Sequence, residues 1–195
     1  MRKNVSIAIL MTIVLTGLLG IVYPLVVTVL AQAIFRERAD GQLIERDGHA
    51  IGSAIIGQGF SSPHYFHSRA SAAGSGYDAT SSGGTNLGPT NRKLIDAVKA
   101  AVAGARNDNL DAPIPIDLVT TSASGLDPHV SPDAALFQVP RVARARGIAE
   151  SDLRQFVTSR IEGRQLGFLG EPRVNVLLLN LAMDERWPPY SSEKR

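Results

Sequence analysis

From Asn4 to Phe35 the chain runs 32 residues without Asp, Glu, Lys, Arg or His, and most of these are Ile, Leu, Val or Ala. A hydrocarbon core about 30 Å thick is crossed by roughly 20 helical residues, and a helix satisfies its own backbone in lipid. The pattern predicts a transmembrane anchor over residues 1–35 and a single exported domain over 36–195. A cleaved secretory signal competes with this reading: Arg2 and Lys3 form a positive start, and Ala31-Gln32-Ala33 has the small-x-small form. The apolar core of a signal is about 7–15 residues long, half the length found here, so a retained anchor is favoured. The positive-inside rule places the short basic N-terminus in the cytoplasm and the domain outside, although Arg36 and Arg38 beyond the span keep the bias modest.

Small residues recur at every fourth position of the anchor: Ala8, Thr12, Thr16 and Gly20. One such face lets helices approach closely in lipid, where packing drives association. These four are the expected helix-packing residues. Pro24 predicts a kink, or the point where the helix leaves the bilayer.

Beyond the anchor the pattern becomes mixed. Leu43-Ile44 and Ile51–Ile56 flank Asp47-Gly48, a dipeptide suited to a tight hairpin turn. The 28 residues 61–88 carry seven serines and five glycines, yet they include Tyr65, Phe66, Arg69, Tyr77, Asp78 and Asn86. So long a connection is usually functional or disordered, and this one has the side chains to order itself against a partner or its own domain. Leu94, Ile95, Val98, Val102 and Ala105 then recur at helical spacing behind a cap at Thr90 or Asn91. Residues 116–121 read as a strand. Ser131-Pro132-Asp133 opens a helix with a cap, a proline and an acid in the first turn; it carries Leu136, Val139 and Val142, is perturbed at Pro140 and stops by Gly147. Another helix starts near Ser151. The apolar run 174–183 reads as a buried strand. Two to three helices on a small mixed sheet make an α+β domain.

Composition narrows the chemistry. The chain contains no cysteine, which removes disulfides, thiol catalysis and thiolate zinc sites. Past the anchor 18 basic residues face 18 acidic ones, so the domain lacks the basic footprint of a nucleic-acid binder.

The candidate sites are thin. His64 and His67 suggest a metal, but a site needs three or four ligands, and His49 and His129 are remote in sequence; no metal is expected. Gly74-Ser-Gly76 and Gly83-Gly84 lack the Gly-Lys-Ser/Thr of a phosphate loop. Ser124, Asp127 and His129 could compose a hydrolytic triad, but no Gly-x-Ser-x-Gly elbow accompanies them, and a turn leading into a capped helix is simpler. No catalytic residue is expected. Arg141, Arg144, Arg146 and Arg154 form a basic region, either a solvated face paired with Glu150 and Asp152 or a docking surface for an acidic partner.

Five strings together resemble one family. They are Gly57-Gln-Gly-Phe60 with Tyr65-Phe-His-Ser-Arg69; Tyr77-Asp-Ala-Thr-Ser-Ser-Gly-Gly-Thr-Asn-Leu-Gly-Pro-Thr-Asn91; Ser122-Ala-Ser-Gly-Leu-Asp-Pro-His129 with Ser131-Pro132; Gln138-Val-Pro-Arg-Val142; and Val174-Asn-Val-Leu-Leu-Leu-Asn180. The resemblance is to the C-subunit family of the bacterial potassium-transporting P-type ATPase, the Kdp complex, and it covers essentially the whole chain.

That resemblance implies a non-catalytic accessory subunit in the bacterial inner membrane. Its implied partners are the channel-like potassium-binding subunit and the P-type pump subunit, with a small single-span subunit as a further candidate. ATP and K+ are used by the complex, and the family is described as an assembly factor and catalytic chaperone that raises the pump's ATP affinity. Consistently, neither Asp-Lys-Thr-Gly-Thr nor a filter-like Thr-x-Gly-x-Gly is present. The family's proposed nucleotide contact is a glutamine, which nominates Gln138. The alternatives are a subunit that contacts ATP directly, or an unrelated membrane-anchored periplasmic binding domain.

Overall fold

The computed structural model describes residues 2–46, 48–110 and 112–188. The chain divides into two compact units, one ending at Ile51 and the other beginning at Gly52.

The first unit is dominated by one helical run, Arg2–Ile34, none of whose most apolar window is buried. At ~1.5 Å per residue its 33 residues extend about 50 Å, ample for a bilayer. Within it, α1 (Arg2–Gly17) passes through a π-helical turn (Leu18–Val22) into α2 (Tyr23–Ile34). The Tyr23 N–H reaches Leu18 O, five residues back. Pro24 supplies the physical reason, because it has no N–H to continue the ladder. In place of the kink or bilayer exit expected at Pro24, the structure has a widened turn just before it, and the helix continues to Ile34. A short α3 (Arg36–Ala39) follows, then β1 (Leu43–Arg46) and β2 (His49–Ser53), which pair in a two-stranded sheet. Gly48 takes the left-handed conformation, φ +76°. The expected Asp47 turn position lies outside the described residues. β2 ends at Ser53, short of the expected Ile56.

The second unit holds the core. Its helices are α4 (Arg92–Asp108), α5 (Pro132–Arg146), α6 (Glu150–Ser159) and α7 (Val176–Arg186). Strands β3 (His129–Val130) and β4 (Val174–Asn175) pair antiparallel, His129 opposite Asn175 and Val130 opposite Val174. The α+β class is as expected, but the sheet is not mixed: each described sheet has two strands. One expected strand is absent and another is cut short. Residues 116–121 contain a 3-10 turn, Ile116–Leu118, directly after Pro115. The run 174–183 is strand for two residues and then helix, because Asn175 caps it by accepting from Leu178 N at 3.1 Å. Val176, Leu179, Asn180 and Met183 are buried, the i, i+3, i+4, i+7 period of a helix, while Leu178 is 41 % exposed. A short apolar run carries too little periodicity to make that choice alone.

α5 is the central element. Ser131 caps it, accepting from Ala134 N at 3.1 Å, and is itself held by Asp117, which accepts from Ser131 N and Oγ. Pro140 sits inside without ending it. Gly147, φ +67°, closes the helix, with Ile148 N donating to Ala143 O and Gly147 N to Arg144 O, the paired bonds of a left-handed C-terminal cap. Phe66, Val130, Val139, Val142, Leu153, Val157, Val174, Val176, Leu179 and Met183 form the core between α5, α6 and α7. α4 is capped by Asn91, as expected, but buries no residue. It is held at its end, where Asp108 pairs with Arg141 and Asn109 donates to Phe137 O.

Candidate functional site

The second unit is organised around segment 62–69, which has no regular secondary structure. An irregular segment against a core must still satisfy its backbone N–H and C=O groups. Here side chains of α5 and α7 do so. Asn180 accepts from Phe66 N and donates to Phe66 O, both at 2.9 Å. Gln138 accepts from His67 N at 2.8 Å and donates to His67 O at 3.1 Å. Phe66 itself is fully buried.

Two arginines extend the clamp. Arg141 donates to Pro63 O at 2.8 Å, Tyr65 O at 3.0 Å, Asp108 at 2.8 Å and Gln138 Oε1 at 2.8 Å. Arg146 donates to His64 O, Trp187 O and Asp184 Oδ1, the last at 2.6 Å, and lies 4.9 Å from the Tyr65 ring centre. Tyr65 OH donates to Asp184 Oδ2 at 3.1 Å; burial, then Asp184, raises the phenol's pKa. Arg141 and Arg146 are thus spent inside the fold, contrary to a solvated basic face. Arg154 does pair with Glu150, at 2.9 Å.

The rest of the 61–88 connection docks on the same unit. Arg69 pairs with Asp127 at 3.3 Å and donates to Thr121 O. Ser71 Oγ donates to Gly125 O at 2.6 Å, and Gly83 N to Ser124 O at 2.9 Å. Gly125 must be glycine: its φ is +68°, and a Cβ there would come 2.6 Å from Ala73 N. Gly84 is accounted for likewise, since a Cβ there would meet Ala123 O at 2.8 Å, whereas one at Gly83 would meet nothing within 4 Å. Gly125 and Gly84 thus serve close chain approach.

Asp127 and His129 lie together, with His129 Nδ1 3.7 Å from Asp127 Oδ1, but no hydrogen bond joins the Ser124 hydroxyl to either. Ser124 Oγ accepts from Leu126 N, and Asp127 Oδ1 accepts from His129 N at 3.0 Å while Oδ2 faces Arg69. Burial works against Asp127 ionisation, but the His129 and Arg69 contacts win and its pKa is lowered. His67 Nε2 donates to Ser62 O at 3.1 Å, and His64 Nδ1 lies 3.1 Å from Ser62 Oγ. Among the described residues no cluster of three or more His, Asp or Glu could hold a metal.

Gln138, the nominated nucleotide contact, is 1 % exposed. Besides the His67 bonds, its Nε2 donates to Ala134 O and its Oε1 accepts from Arg141. In the anchor, Ala8, Thr12, Thr16 and Gly20 are all exposed; Thr12 Oγ1 donates to Ala8 O at 2.9 Å, and a Cβ at Gly20 would lie 3.9 Å from Thr16 Cγ2. Asn180, Asp184 and Asp108 were missed as clamp residues. The signal for Asn180 was a polar residue inside an apolar run, since a buried polar group is the informative exception.

An unburied apolar helix of membrane-spanning length joined to a domain whose polar clusters hold its own loops fits a single-pass membrane protein. The sequence profile of the KdpC family, described as K+-transporting ATPase, c chain, matches residues 5–185. A Koribacter versatilis protein named potassium-transporting ATPase KdpC subunit is 62 % identical, over 96 % of this chain and 97 % of its own. Proteins of the same name from Rhodopseudomonas palustris and Methylorubrum populi are 53 % and 55 % identical, covering 94 % and 91 % of this chain and 98 % and 94 % of theirs. The chain belongs to the KdpC family.

Proposed function

We propose that this chain is the accessory subunit of an ATP-driven potassium import complex: it stabilises the assembly of the channel-like and P-type subunits and raises the pump's affinity for ATP without hydrolysing it. Membership of the KdpC family over residues 5–185 carries this reading. The anchor lies in the bacterial inner membrane with its N-terminus in the cytoplasm, and Ala8, Thr12, Thr16 and Gly20 form the face against a partner helix.

The effect on ATP is indirect. Gln138 is buried and its amide makes four hydrogen bonds within its own unit, so contact with a nucleotide would require it to release Segment 62–69. With the domain outside, Gln138 is also separated from cytosolic ATP by about 30 Å of hydrocarbon. The subunit then acts by biasing the pump's conformational equilibrium, a coupling typically worth about 1–3 kcal/mol, roughly 5–150-fold in affinity. Linkage makes it reciprocal: ATP on the pump tightens binding of this subunit by the same factor. The test is ATP affinity of the complex with and without this chain, together with azido-ATP labelling in sealed vesicles. A tighter affinity with no label on this chain is expected. Specific label competed by ATP would establish direct contact instead.

A further inference from the structure

Between α6 and β4 the chain forms a hairpin, residues 161–173, that the proposed function does not use. Glu162 and Arg173 exchange both backbone hydrogen bonds, at 2.8 and 3.0 Å, and Gln165 and Leu169 exchange theirs at 2.9 Å each. Two ion pairs brace the limbs, Arg173 to Glu162 at 2.9 Å and Arg164 to Glu171 at 2.7 Å. At the tip Leu166 and Gly167 take left-handed backbone, φ +53° and +81°, a conformation that glycine adopts freely and leucine does not. The braced turn nevertheless points its apolar side chains outward: Leu166 is 82 % exposed, Phe168 69 % and Leu169 47 %. None of them belongs to the core.

An aromatic and two aliphatic side chains at the end of an ordered hairpin are the kind of anchor that dominates interfaces when seated in a pocket. We propose that hairpin 161–173 is a docking finger whose Leu166, Phe168 and Leu169 insert into an uncharged apolar pocket on a neighbouring subunit of the transport ATPase. Charge selects a protein over a lipid surface. The hairpin has two arginines and two glutamates, each arginine is already paired across it, and no cation is left to draw it to anionic headgroups. Its preformed shape suits a pocket, because an ordered finger loses little conformational freedom on docking. The inference rests on the subunit reading above.

The test co-expresses the tagged full chain with the other ATPase subunits. Phe168→p-benzoylphenylalanine, irradiated in membranes, is expected to crosslink to another subunit, identified by mass spectrometry. The double substitution Leu166→Ser with Phe168→Ser is expected to lower recovery of the other subunits at least fivefold. Thermal unfolding of the purified variant should match the parent, because the tip lies outside the core. Crosslinks confined to lipid or to a second copy of this chain, or unchanged recovery, overturn the finger while the subunit reading stands. If the unsubstituted chain recovers no ATPase subunit, both fall.

Discussion

Asn180 holds Phe66 as a neighbouring strand would, its Oδ1 accepting from the Phe66 N–H and its Nδ2 donating to the Phe66 carbonyl, both at 2.9 Å. One residue along, Gln138 repeats the arrangement on His67 from a different helix. Two side-chain amides thus replace a β-ladder, and a segment without secondary structure becomes part of the core. The clamp makes the domain's integrity depend on polar residues that are easily taken for ligands.

Replacing Gln138 by alanine strands the His67 N–H and C=O and removes an acceptor from Arg141. A buried polar group left without a partner costs about 1–3 kcal/mol, so Gln138→Ala should lose about 2–4 kcal/mol and Asn180→Ala a similar amount. Urea unfolding followed by fluorescence of the single tryptophan, Trp187, measures both. A Gln138→Ala chain that unfolds at the parent's urea midpoint, yet weakens ATP binding by the complex, would point to nucleotide contact and away from the clamp.

Arg146 is 3 % exposed in its side chain and Asp184 15 %. Arg146→Met leaves the carboxylate nearly buried with Tyr65 OH as its remaining hydrogen-bond donor among the described residues, at an expected cost of about 3 kcal/mol. Adding Asp184→Leu should recover part of the loss, because the stranded charge is the chief penalty. A double variant less stable than Arg146→Met would show that packing dominates.

Burial, then the Arg141 cation, lowers the His67 pKa, outweighing the Ser62 carbonyl and Asp108. Below the ordinary histidine value of about 6.5 the unfolded chain therefore takes up a proton that the folded chain resists. This contribution to stability is complete above that pH and is lost as pH falls. The urea midpoint should drop between pH 7.5 and 5.5, and His67→Gln should flatten part of the slope. Retention of the full slope in His67→Gln would assign it to other groups.

Leucine at Thr16 or Gly20 keeps the anchor apolar enough to insert but thickens the proposed contact face. Normal membrane insertion with reduced co-purification of the other subunits is expected. Undiminished recovery in both variants would remove the stripe as a packing surface.

Protease added to intact spheroplasts should digest residues beyond 36 if the domain is outside, as the positive-inside rule predicts. Cutting only after lysis would invert the topology and return ATP to the same side as Gln138.

What the sequence by itself determined were features carried by local pattern: the uncharged run of the anchor, a cap at Thr90 or Asn91, the cap at Ser131 and the stop at Gly147. Each depends on residues within a turn or two of one another, where backbone sterics and capping act. Tertiary structure alone decided the rest. The run after Val174 is helical because α7 thereby presents Val176, Leu179 and Met183 to the core, whereas an uninterrupted apolar run is compatible with either element. Arg141 and Arg146 read as surface charge until 62–69, some eighty residues earlier, supplies the carbonyls they bind. Gln138 reads as a ligand contact until His67 occupies its amide. A side chain's hydrogen-bonding capacity is written in the sequence; which distant backbone uses it is fixed only when the chain closes on itself, because the cost of leaving buried N–H and C=O groups unpaired selects the partners.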